Sequence, residues 1–257
     1  IWIFRIMPTN PLRDFLSILL RSFYRLEVTG LENIAKAGPN AIIALNHVSF
    51  LDAAVALAIL DKDPVFAIDH TIAQKWWVKP FLKLTRALPL DPTRPLATRS
   101  LIHAVRGGES LVIFPEGRLT VTGSLMKVNE GPGVIADKAQ APIVPVRIEG
   151  AQYTPFSYMQ GLRRRWFPQI TLTILPPTNF ELPNDMPARA RRQLAGRRLY
   201  DLMCDLMLKT SPTEQTLVQA VLEASHLHGS HRAFFFNETA APETYARIKL
   251  GMLLLGR

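Results

Sequence analysis

The sequence predicts an α/β fold: an αβα sandwich around a mainly parallel, mixed sheet. Two observations carry this prediction. Short apolar runs of strand length alternate with helical patterns along most of the 257 residues, and such alternation favours parallel strands joined by helices. The composition, 48 % hydrophobic and 20 % charged, is that of a globular chain with a core. In sheets of this kind, ligands bind beyond the carboxyl ends of the strands.

The elements follow the apolar pattern in chain order. We expect strands at about 25–28, 41–45, 64–68, 87–90, 110–114, 142–148 and 169–175. We expect helices near 11–24, 51–60, 73–85, 95–106, 132–140 and 186–209. The first of these helices is amphipathic, with apolar side chains at helical spacing and arginines between them. Two interpretations of it stay open: a helix that packs on its own domain, or one that lies on a membrane surface.

Composition divides the chain into three regions. Residues 1–24 contain the amphipathic segment, and residues 25–211 carry the alternating pattern. Residues 212–257 are more polar at first, which indicates an appendage or the start of another domain. No uninterrupted apolar run reaches the ~18 residues of a membrane-spanning helix.

The charge of the chain favours a polyanionic partner. It has 30 Lys and Arg against 21 Asp and Glu, a net charge of +9, which suits nucleic acid, an anionic membrane or a phosphorylated substrate. A basic run, Arg163 to Arg165, precedes Trp166 and Phe167, and this order is typical of a membrane interface. We therefore expect a membrane surface as partner and no nucleic acid. Cys204 is the only cysteine, which excludes a disulfide framework and a cysteine zinc site.

A histidine and a carboxylate stand where an apolar strand ends. Asn46 and His47 follow the run "IIAL", and Asp52 comes five residues after the histidine. On one continuous helix the two side chains would face apart, so they can meet only if the helix begins between them. Ser49-x-x-Asp52 has the form of a capping box, which places that beginning at Ser49. Asp52 either caps the helix alone or also orients the His47 ring, as the acid of a catalytic triad does.

A second candidate segment follows the strand at 110–114. Glu116 and Gly117 end the strand, Arg118 offers planar donors suited to phosphate, and Lys127 adds a cation. Gly117 would let a ligand approach the backbone closely. Glu116 could orient an arginine or bind a substrate hydroxyl or amine. The alternative is a strand-ending turn with surface charges.

The strand at 142–148 contains two prolines and Arg147. Because proline removes a ladder donor, we expect this strand at an edge of the sheet or bulged. Arg147 within an apolar run needs a ligand or an ion-pair partner. The preceding Gly131-x-Gly133-x-x-Ala136 imitates a dinucleotide fingerprint, but no convincing strand leads into it. No nucleophile elbow, P-loop or zinc spacing is present in the sequence.

Taken in order, these stretches resemble the glycerolipid acyltransferases of the lysophosphatidic acid acyltransferase family. The family's Asn-His-x-x-x-x-Asp block is similar to Asn46, His47 and Asp52, and its Phe-Pro-Glu-Gly block to Phe114 to Gly117. A Gly-rich stretch at 131–136 and the Val-Pro-Val strand at 144–146 complete the resemblance.

The resemblance implies a glycerol-3-phosphate acyltransferase-like fold with the acyltransferase domain at residues 25–211. His47 would take a proton from a lysophospholipid hydroxyl as the hydroxyl attacks an acyl thioester, and Asp52 would orient His47. The thioester would be carried by acyl carrier protein or coenzyme A, with no metal and no tightly bound cofactor. The N-terminal segment 1–24 would lie on the inner membrane, at its cytoplasmic face. The residues expected to bind substrate are Asn46, Glu116, Gly117, Arg118, Lys127, Gly131, Gly133 and Arg147.

One departure from the family pattern bears on the substrate. The usual Thr-Arg-Ser after Glu-Gly is Arg118-Leu119-Thr120 here, so the arginine is displaced by one residue. This variant is similar to acyltransferases of phospholipid remodelling that act on 2-acylglycerophosphoethanolamine and precede an AMP-forming ligase domain. The expected acceptor is then 2-acylglycerophosphoethanolamine, and residues 212–257 would begin a truncated ligase-like domain. Two alternatives stay open: a 1-acylglycerol-3-phosphate acyltransferase that makes phosphatidic acid, and a non-catalytic, basic, peripheral membrane-binding protein.

Overall fold

The structure, a computed structural model, describes residues 11–60, 63–76, 78–79, 82, 85–90, 95–159, 161–183, 185–211, 214–235 and 242–255. The chain divides into two compact units. The first comprises Ile1–Met159 and Arg165–Thr210, and the second comprises Gln160–Arg164 and Ser211–Arg257. Each unit is described by itself.

The first unit is built on a sheet with the strand order β1-β7-β6-β2-β5-β3-β4. All neighbouring strands are parallel except β6 and β7, which pair antiparallel. The strands are β1 Glu27–Thr29, β2 Ile42–Leu45, β3 Val65–Asp69, β4 Arg86–Leu90, β5 Leu111–Ile113, β6 Ile143–Glu149 and β7 Thr171–Ile174. The expected mainly parallel, mixed sheet is confirmed.

Helices connect the strands. They are α1 Pro11–Tyr24, α2 Glu32–Ala37, α3 Asp52–Ile59, α4 His70–Ala73, α5 Pro95–Arg106, α6 Glu130–Ala139 and α7 Ala188–Thr210. A 3-10 turn spans Ala151–Tyr153. Among the helices that the structure describes, none combines the length and the apolarity needed to cross a bilayer.

Two hydrophobic clusters, one on each face of the sheet, make the sandwich. Successive side chains of a strand point to opposite faces, so Ile43 and Leu45 of β2 pack with α1 and α3. Ile42 and Ala44 of the same strand pack with α5, α6 and α7. Both faces of β2 are therefore buried, which explains why its sequence is apolar at every position.

Each expected strand is present, with bounds shifted by at most two residues. The six-residue α2 was not expected, because so short a helix shows no apolar period. The expected helix at 73–85 includes five residues outside the described part of the chain, 77, 80, 81, 83 and 84, and the described α4 ends at its first residue. Helices α1 and α5 begin and end where the sequence places them.

The expectation of an edge position for the strand at 142–148 is wrong, whereas its pairing is irregular beside Pro145, where the alternative expectation placed a bulge. β6 lies inside the sheet, between β2 and β7, and its described register with β7 is continuous. Paired residues of an antiparallel ladder exchange both bonds with the same partner, and the Pro145 carbonyl accepts from Leu175 N–H at 3.0 Å. Pairing resumes at Ile143 and Thr178, which exchange both backbone bonds at 2.9 and 2.8 Å, so the segment after Leu175 has one extra residue and forms a bulge opposite the proline. A central strand tolerates proline here because the position without an N–H faces this irregular pairing and not a regular ladder.

The second unit has its own short elements: α8 Leu217–His228, β8 Ala233–Phe235, β9 Glu243–Thr244 and α9 Tyr245–Leu255. β8 and β9 pair antiparallel. A capping box formed by Thr216 and Gln219 begins α8. The assignment of residues 212–257 to the start of a ligase domain stays a prediction.

Candidate functional site

The two candidate segments of the sequence meet at one edge of the sheet. His47 lies two residues after β2, and Glu116 lies three residues after β5. β2 and β5 are parallel neighbours, with Ile42 beside Leu111 and Ala44 beside Ile113. Their carboxyl ends therefore open on the same side, and the His47 N–H donates to Glu116 Oε1 at 3.1 Å.

His47 and Asp52 form a hydrogen-bonded pair. His47 Nδ1 lies 3.0 Å from Asp52 Oδ2, with the carboxylate fully buried and 17 % of the histidine side chain exposed. An ionised carboxylate only accepts hydrogen bonds, so Nδ1 carries the proton and Nε2 is the basic nitrogen. The imidazole ring also stacks on Phe114, with centroids 4.0 Å apart. These contacts orient one basic nitrogen at the end of the sheet.

The same carboxylate oxygen also holds the loop before α3. Asp52 Oδ2 accepts the backbone N–H groups of Val48 at 2.7 Å and Ser49 at 2.9 Å. The expected capping box is present in part: Asp52 accepts from the Ser49 N–H, but Ser49 Oγ accepts from Leu51 N–H at 3.3 Å. The helix does begin between His47 and Asp52, as their meeting requires. Asp52, the first residue of α3, thus both holds the loop that leads into the helix and orients the imidazole.

Glu116 ties the backbone of His47 to the segment after β5. Its buried carboxylate accepts from the His47 N–H and, through Oε2, from the Met126 N–H at 2.8 Å. The backbone N–H of Thr120 donates to the His47 carbonyl at 2.8 Å. Burial raises the pKa of the Glu116 carboxyl, although the bonds from Met126 and His47 act in the opposite direction. His47 is therefore held at its side chain, its N–H and its carbonyl.

Cationic side chains line the exposed part of that segment. Gly117, Arg118 and Lys127 are exposed. Gly117 has φ +66°, and a Cβ there would lie 2.9 Å from Asn129 Nδ2, so both conformation and space favour glycine. Asn129 donates to the Pro115 and Glu116 carbonyls at 3.2 Å and directly precedes α6. The N-terminus of α6 is thereby fixed beside Glu116, and a helix N-terminus with nearby cations favours an anion.

Two expected substrate contacts have structural partners instead. Asn46 is buried, and its amide donates to the Ile148 carbonyl at 3.0 Å and accepts from the Ile148 N–H at 2.7 Å. The Arg147 guanidinium binds Thr210 Oγ1 at 3.0 Å and the Glu149 carboxylate at 3.2 Å. Asn46 therefore joins β2 to β6, and Arg147 joins β6 to the end of α7.

The glycines of the fingerprint-like stretch lie inside α6. A Cβ on Gly133 would lie 2.4 Å from the carbonyl oxygen of Ala195, so Gly133 lets α6 and α7 pack closely. Gly131, in the first turn, has no heavy atom within 4 Å of the position of a Cβ. The absence of a strand directly before α6 agrees with our rejection of a dinucleotide fingerprint.

Sequence reasoning missed Thr120 and Asn129, which position the site through backbone bonds. Thr120 is buried, and its hydroxyl also accepts from the Gly123 N–H at 3.0 Å. A polar residue in a polar loop carries no signal for such bonds. Within the described part of the chain, no group of three or more His, Cys, Asp or Glu side chains is placed to hold a metal ion.

The chain is similar to known acyltransferases. Residues 25–149 match the family model described as Acyltransferase. The chloroplastic 1-acyl-sn-glycerol-3-phosphate acyltransferase BAT2 of Brassica napus is 27 % identical over 141 residues, which cover 52 % of this chain and 40 % of BAT2. LPAT1 of Arabidopsis thaliana, of the same description, is 26 % identical over 141 residues, with 52 % and 38 % covered. The human acyltransferase alpha is 37 % identical over 82 residues, covering 31 % of this chain and 28 % of the human protein.

The match spans about two fifths of the length of the two plant relatives. Among solved structures, the 1-acyl-sn-glycerophosphate (LPA) acyltransferase PlsC of Thermotoga maritima is similar, with a TM-score of 0.54 and 21 % identity. That likeness covers 81 % of this chain and 86 % of PlsC, and it shows the fold. The match to the Acyltransferase family model, residues 25–149, covers β1 to β6 and includes the His47–Asp52 pair.

Proposed function

We propose that the chain transfers a fatty acyl group from an acyl thioester to the free hydroxyl of a lysophosphatidic acid. The observation that carries the proposal is the His47–Asp52 pair, 3.0 Å apart. The histidine follows β2, and the buried carboxylate belongs to the first residue of α3. An imidazole oriented in this way can act as a general base towards a hydroxyl.

The reaction needs one proton transfer in each direction. His47 Nε2 takes the proton of the acceptor hydroxyl while the hydroxyl oxygen attacks the thioester carbonyl. Asp52 stabilises the imidazolium that forms. The tetrahedral intermediate then expels the thiolate, which takes the proton from His47. The products are an ester and a free thiol, and no acyl-enzyme is formed.

The phosphate of the acceptor would lie against the segment between β5 and α6. Arg118 and Lys127 are exposed there, and the N-terminus of α6 follows Asn129. Arginine binds phosphate through a planar pair of donors. Glu116 has both carboxylate oxygens bonded to backbone N–H groups, so its part is to position His47. The proposal gives Asn46, Gly133 and Arg147 no contact with substrate.

The donor and the location are also proposals. Both coenzyme A and acyl carrier protein are anionic, and the net charge of +9 favours either one. A lysophospholipid acceptor places the reaction at a membrane surface, for which we propose the cytoplasmic face of the inner membrane.

A second acceptor, 2-acylglycerophosphoethanolamine, is favoured by one observation, the displaced Arg118. The relatives described above are named for 1-acyl-sn-glycerol-3-phosphate, and this supports lysophosphatidic acid as the first choice. In 2-acylglycerophosphoethanolamine the phosphate is a diester with ethanolamine, so it loses one negative charge and gains a neighbouring ammonium group. Its free hydroxyl is also the outer one, whereas 1-acylglycerol-3-phosphate has a free middle hydroxyl. A displaced arginine would select less strongly for a dianionic phosphate.

The test is transfer from a labelled acyl thioester, on coenzyme A and on acyl carrier protein, to each acceptor in turn. We expect transfer to lysophosphatidic acid by the wild type, a loss of at least about a thousandfold in His47→Ala, and full activity in His103→Ala. His103 is an exposed histidine of α5 and serves as the matched control. Preference for the ethanolamine acceptor would replace the first choice with the second.

Two further outcomes would count against the proposal, one against His47 as the base and one against catalysis. Equal transfer by wild type and a folded His47→Ala variant would remove His47 as the base. No transfer by the wild type to either acceptor, from either donor, would favour the non-catalytic membrane-binding protein.

A further inference from the structure

A third segment packs against the loop that carries His47 and has no part in the proton transfer described above. Residues 151–159 follow β6 and return to the loop between β2 and α3. The Phe50 N–H donates to the Phe156 carbonyl at 3.1 Å. The rings of Phe50 and Tyr158 meet edge to face, with centroids 5.2 Å apart. Residues 151–159, which we call the third loop, therefore border the candidate site.

Two buried hydroxyl groups join the third loop to the loop of His47. Ser49 and Thr154 are completely buried, and Ser49 Oγ lies 3.1 Å from Thr154 Oγ1. The Thr154 hydroxyl donates to the Ala151 carbonyl at 2.7 Å, so its one proton is used. Ser49 is therefore the donor to Thr154, and its own oxygen accepts from the Leu51 N–H at 3.3 Å. Every hydrogen bond in this short chain thus has a definite direction.

Ser49 links this chain to the acceptor of the imidazole. Its N–H donates to Asp52 Oδ2 at 2.9 Å, and the same oxygen lies 3.0 Å from His47 Nδ1. Ser49 thus bonds to Asp52 through its backbone and to Thr154 through its side chain. A buried donor without an acceptor is unfavourable, so without Thr154 Oγ1 the loop would shift until the Ser49 hydroxyl finds another partner. Such a shift displaces the carboxylate on which the orientation of His47 depends.

We propose that Thr154 is a positioning residue for acyl transfer. Through Ser49 it holds the Asp52 carboxylate where His47 Nδ1 keeps its proton, so that Nε2 stays basic towards the acceptor hydroxyl. A threonine that only stabilised the third loop would affect unfolding and leave the imidazole unchanged. The effect on rate rests on the proposed function, whereas the effect on the tautomer of His47 does not.

Kinetics of three variants test the effect on rate. Thr154→Val removes the hydroxyl and keeps the branched shape, and Thr154→Ser keeps the hydroxyl. The matched control is Ser157→Ala, because Ser157 is a buried residue of the third loop whose Oγ accepts from the Met159 N–H of the same loop at 3.2 Å. We expect Thr154→Val to lose about tenfold in kcat with KM within about twofold of wild type, since a misplaced catalytic group slows the chemical step. Thr154→Ser, which keeps a donor and acceptor at this position, and Ser157→Ala should stay within about threefold of wild type.

Nuclear magnetic resonance of the full chain with isotope-labelled histidine tests the tautomer without any assay of activity. The spectrum of His47→Ala identifies the signals of the His47 ring. Wild type and Ser157→Ala should hold the proton of the neutral ring on Nδ1, whereas Thr154→Val should show a second population with the proton on Nε2. Ser49→Ala cuts the same hydrogen-bonded chain and should reproduce this second population. The double variant Ser49→Ala/Thr154→Val should lose no more activity than Ser49→Ala, because the two residues act as one unit.

Several results would overturn the proposal. A folded Thr154→Val with the kcat and the histidine spectrum of wild type would do so, and so would an equal loss of kcat in Ser157→Ala. A low kcat in Thr154→Ser, with Thr154→Val unaffected, would assign the role to the methyl group. If Thr154→Val does not fold, Ser49→Ala decides by the same two measurements. A second tautomer in Thr154→Val without acyl transfer by wild type would refute the proposed function alone, and transfer by wild type with an unchanged tautomer in Thr154→Val would refute this inference alone.

Discussion

Replacing Asp52 with asparagine separates charge from shape in the candidate site. Oδ2 accepts three hydrogen bonds, from His47 Nδ1, Val48 N–H and Ser49 N–H. The asparagine carbonyl should take this position, because an amide NH₂ there would face two buried backbone donors. His47 Nδ1 then keeps an acceptor, and the tautomer is unchanged. What the variant lacks is the negative charge beside the imidazolium.

The magnitude follows from the distance. Two unit charges 3.0 Å apart at an effective dielectric constant of about 20 interact by roughly 5 kcal/mol. The neutral carbonyl retains a weaker hydrogen bond, so we expect the transition state to lose about 4 kcal/mol. That is about a thousandfold in kcat/KM. The new NH₂ takes the place of Oδ1, a buried atom without a hydrogen-bond partner among the described residues, and costs about 1–3 kcal/mol of stability.

The assay is acyl transfer to lysophosphatidic acid, with thermal unfolding measured in parallel. Asp137→Asn is the matched control. Asp137 is also buried, and its two oxygens accept from Arg191 at 2.6 and 2.9 Å between α6 and α7. This control should lower the melting temperature and leave kcat/KM within about twofold of wild type.

An Asp52→Asn variant that is folded and retains activity within about threefold of wild type would refute the role of the Asp52 charge. A similar loss of activity in Asp137→Asn would show that stability, not the charge beside His47, sets the rate.

Three further predictions concern residues that hold the strands and helices around the site in place. Burial raises the Glu116 pKa above 4.5, so its stabilising contribution is present below about pH 4.5 and is lost as pH rises through the folded-state pKa. Denaturant titrations give the free energy of unfolding of the wild type and of Glu116→Gln. The difference, wild type minus variant, should fall as pH rises through the folded-state pKa. A difference that rises instead would mean that folding lowers the pKa of Glu116. Gly133→Ala should lower stability by about 1–3 kcal/mol because its Cβ meets the α7 backbone, whereas Gly131→Ala should change it little or raise it by up to about 1 kcal/mol. Equal melting temperatures of the two glycine variants would contradict this packing. Asn46→Asp should unfold at lower temperature at neutral pH, since a carboxylate cannot donate to the β6 carbonyl; an unchanged melting temperature would refute the role of Asn46.

The sheet and the His47–Asp52 pair are predictable from local patterns. Apolar runs such as "IIAL" identify strands because both of their faces are buried. The His47–Asp52 meeting is predictable because only five residues separate the two, and a helix start between them can bring them together. Strand alternation then places His47 and Glu116 at carboxyl ends, where sites form.

Other roles depend on contacts between remote segments, which local patterns do not contain. Asn46 bonds to Ile148, 102 residues away, and its position next to a histidine does not predict this partner. The role of Gly133 depends on the path of α7, and the tolerance of Pro145 depends on its irregular pairing with residues 175–178. A proline argues against a central strand only where the ladder that it faces is regular.

The bond between His47 and Glu116 has a consequence for how the protein folds. It joins residues 69 apart in sequence, whereas the His47–Asp52 contact closes within one short loop. During refolding, the local pair can form as soon as α3 begins, but its backbone is held only after β2 and β5 have paired. Long-range strand pairing is the slow part of folding in proteins of this kind. Under the proposed function, acyl-transfer activity should therefore recover only after the central strands have assembled, later than the helix signal in circular dichroism.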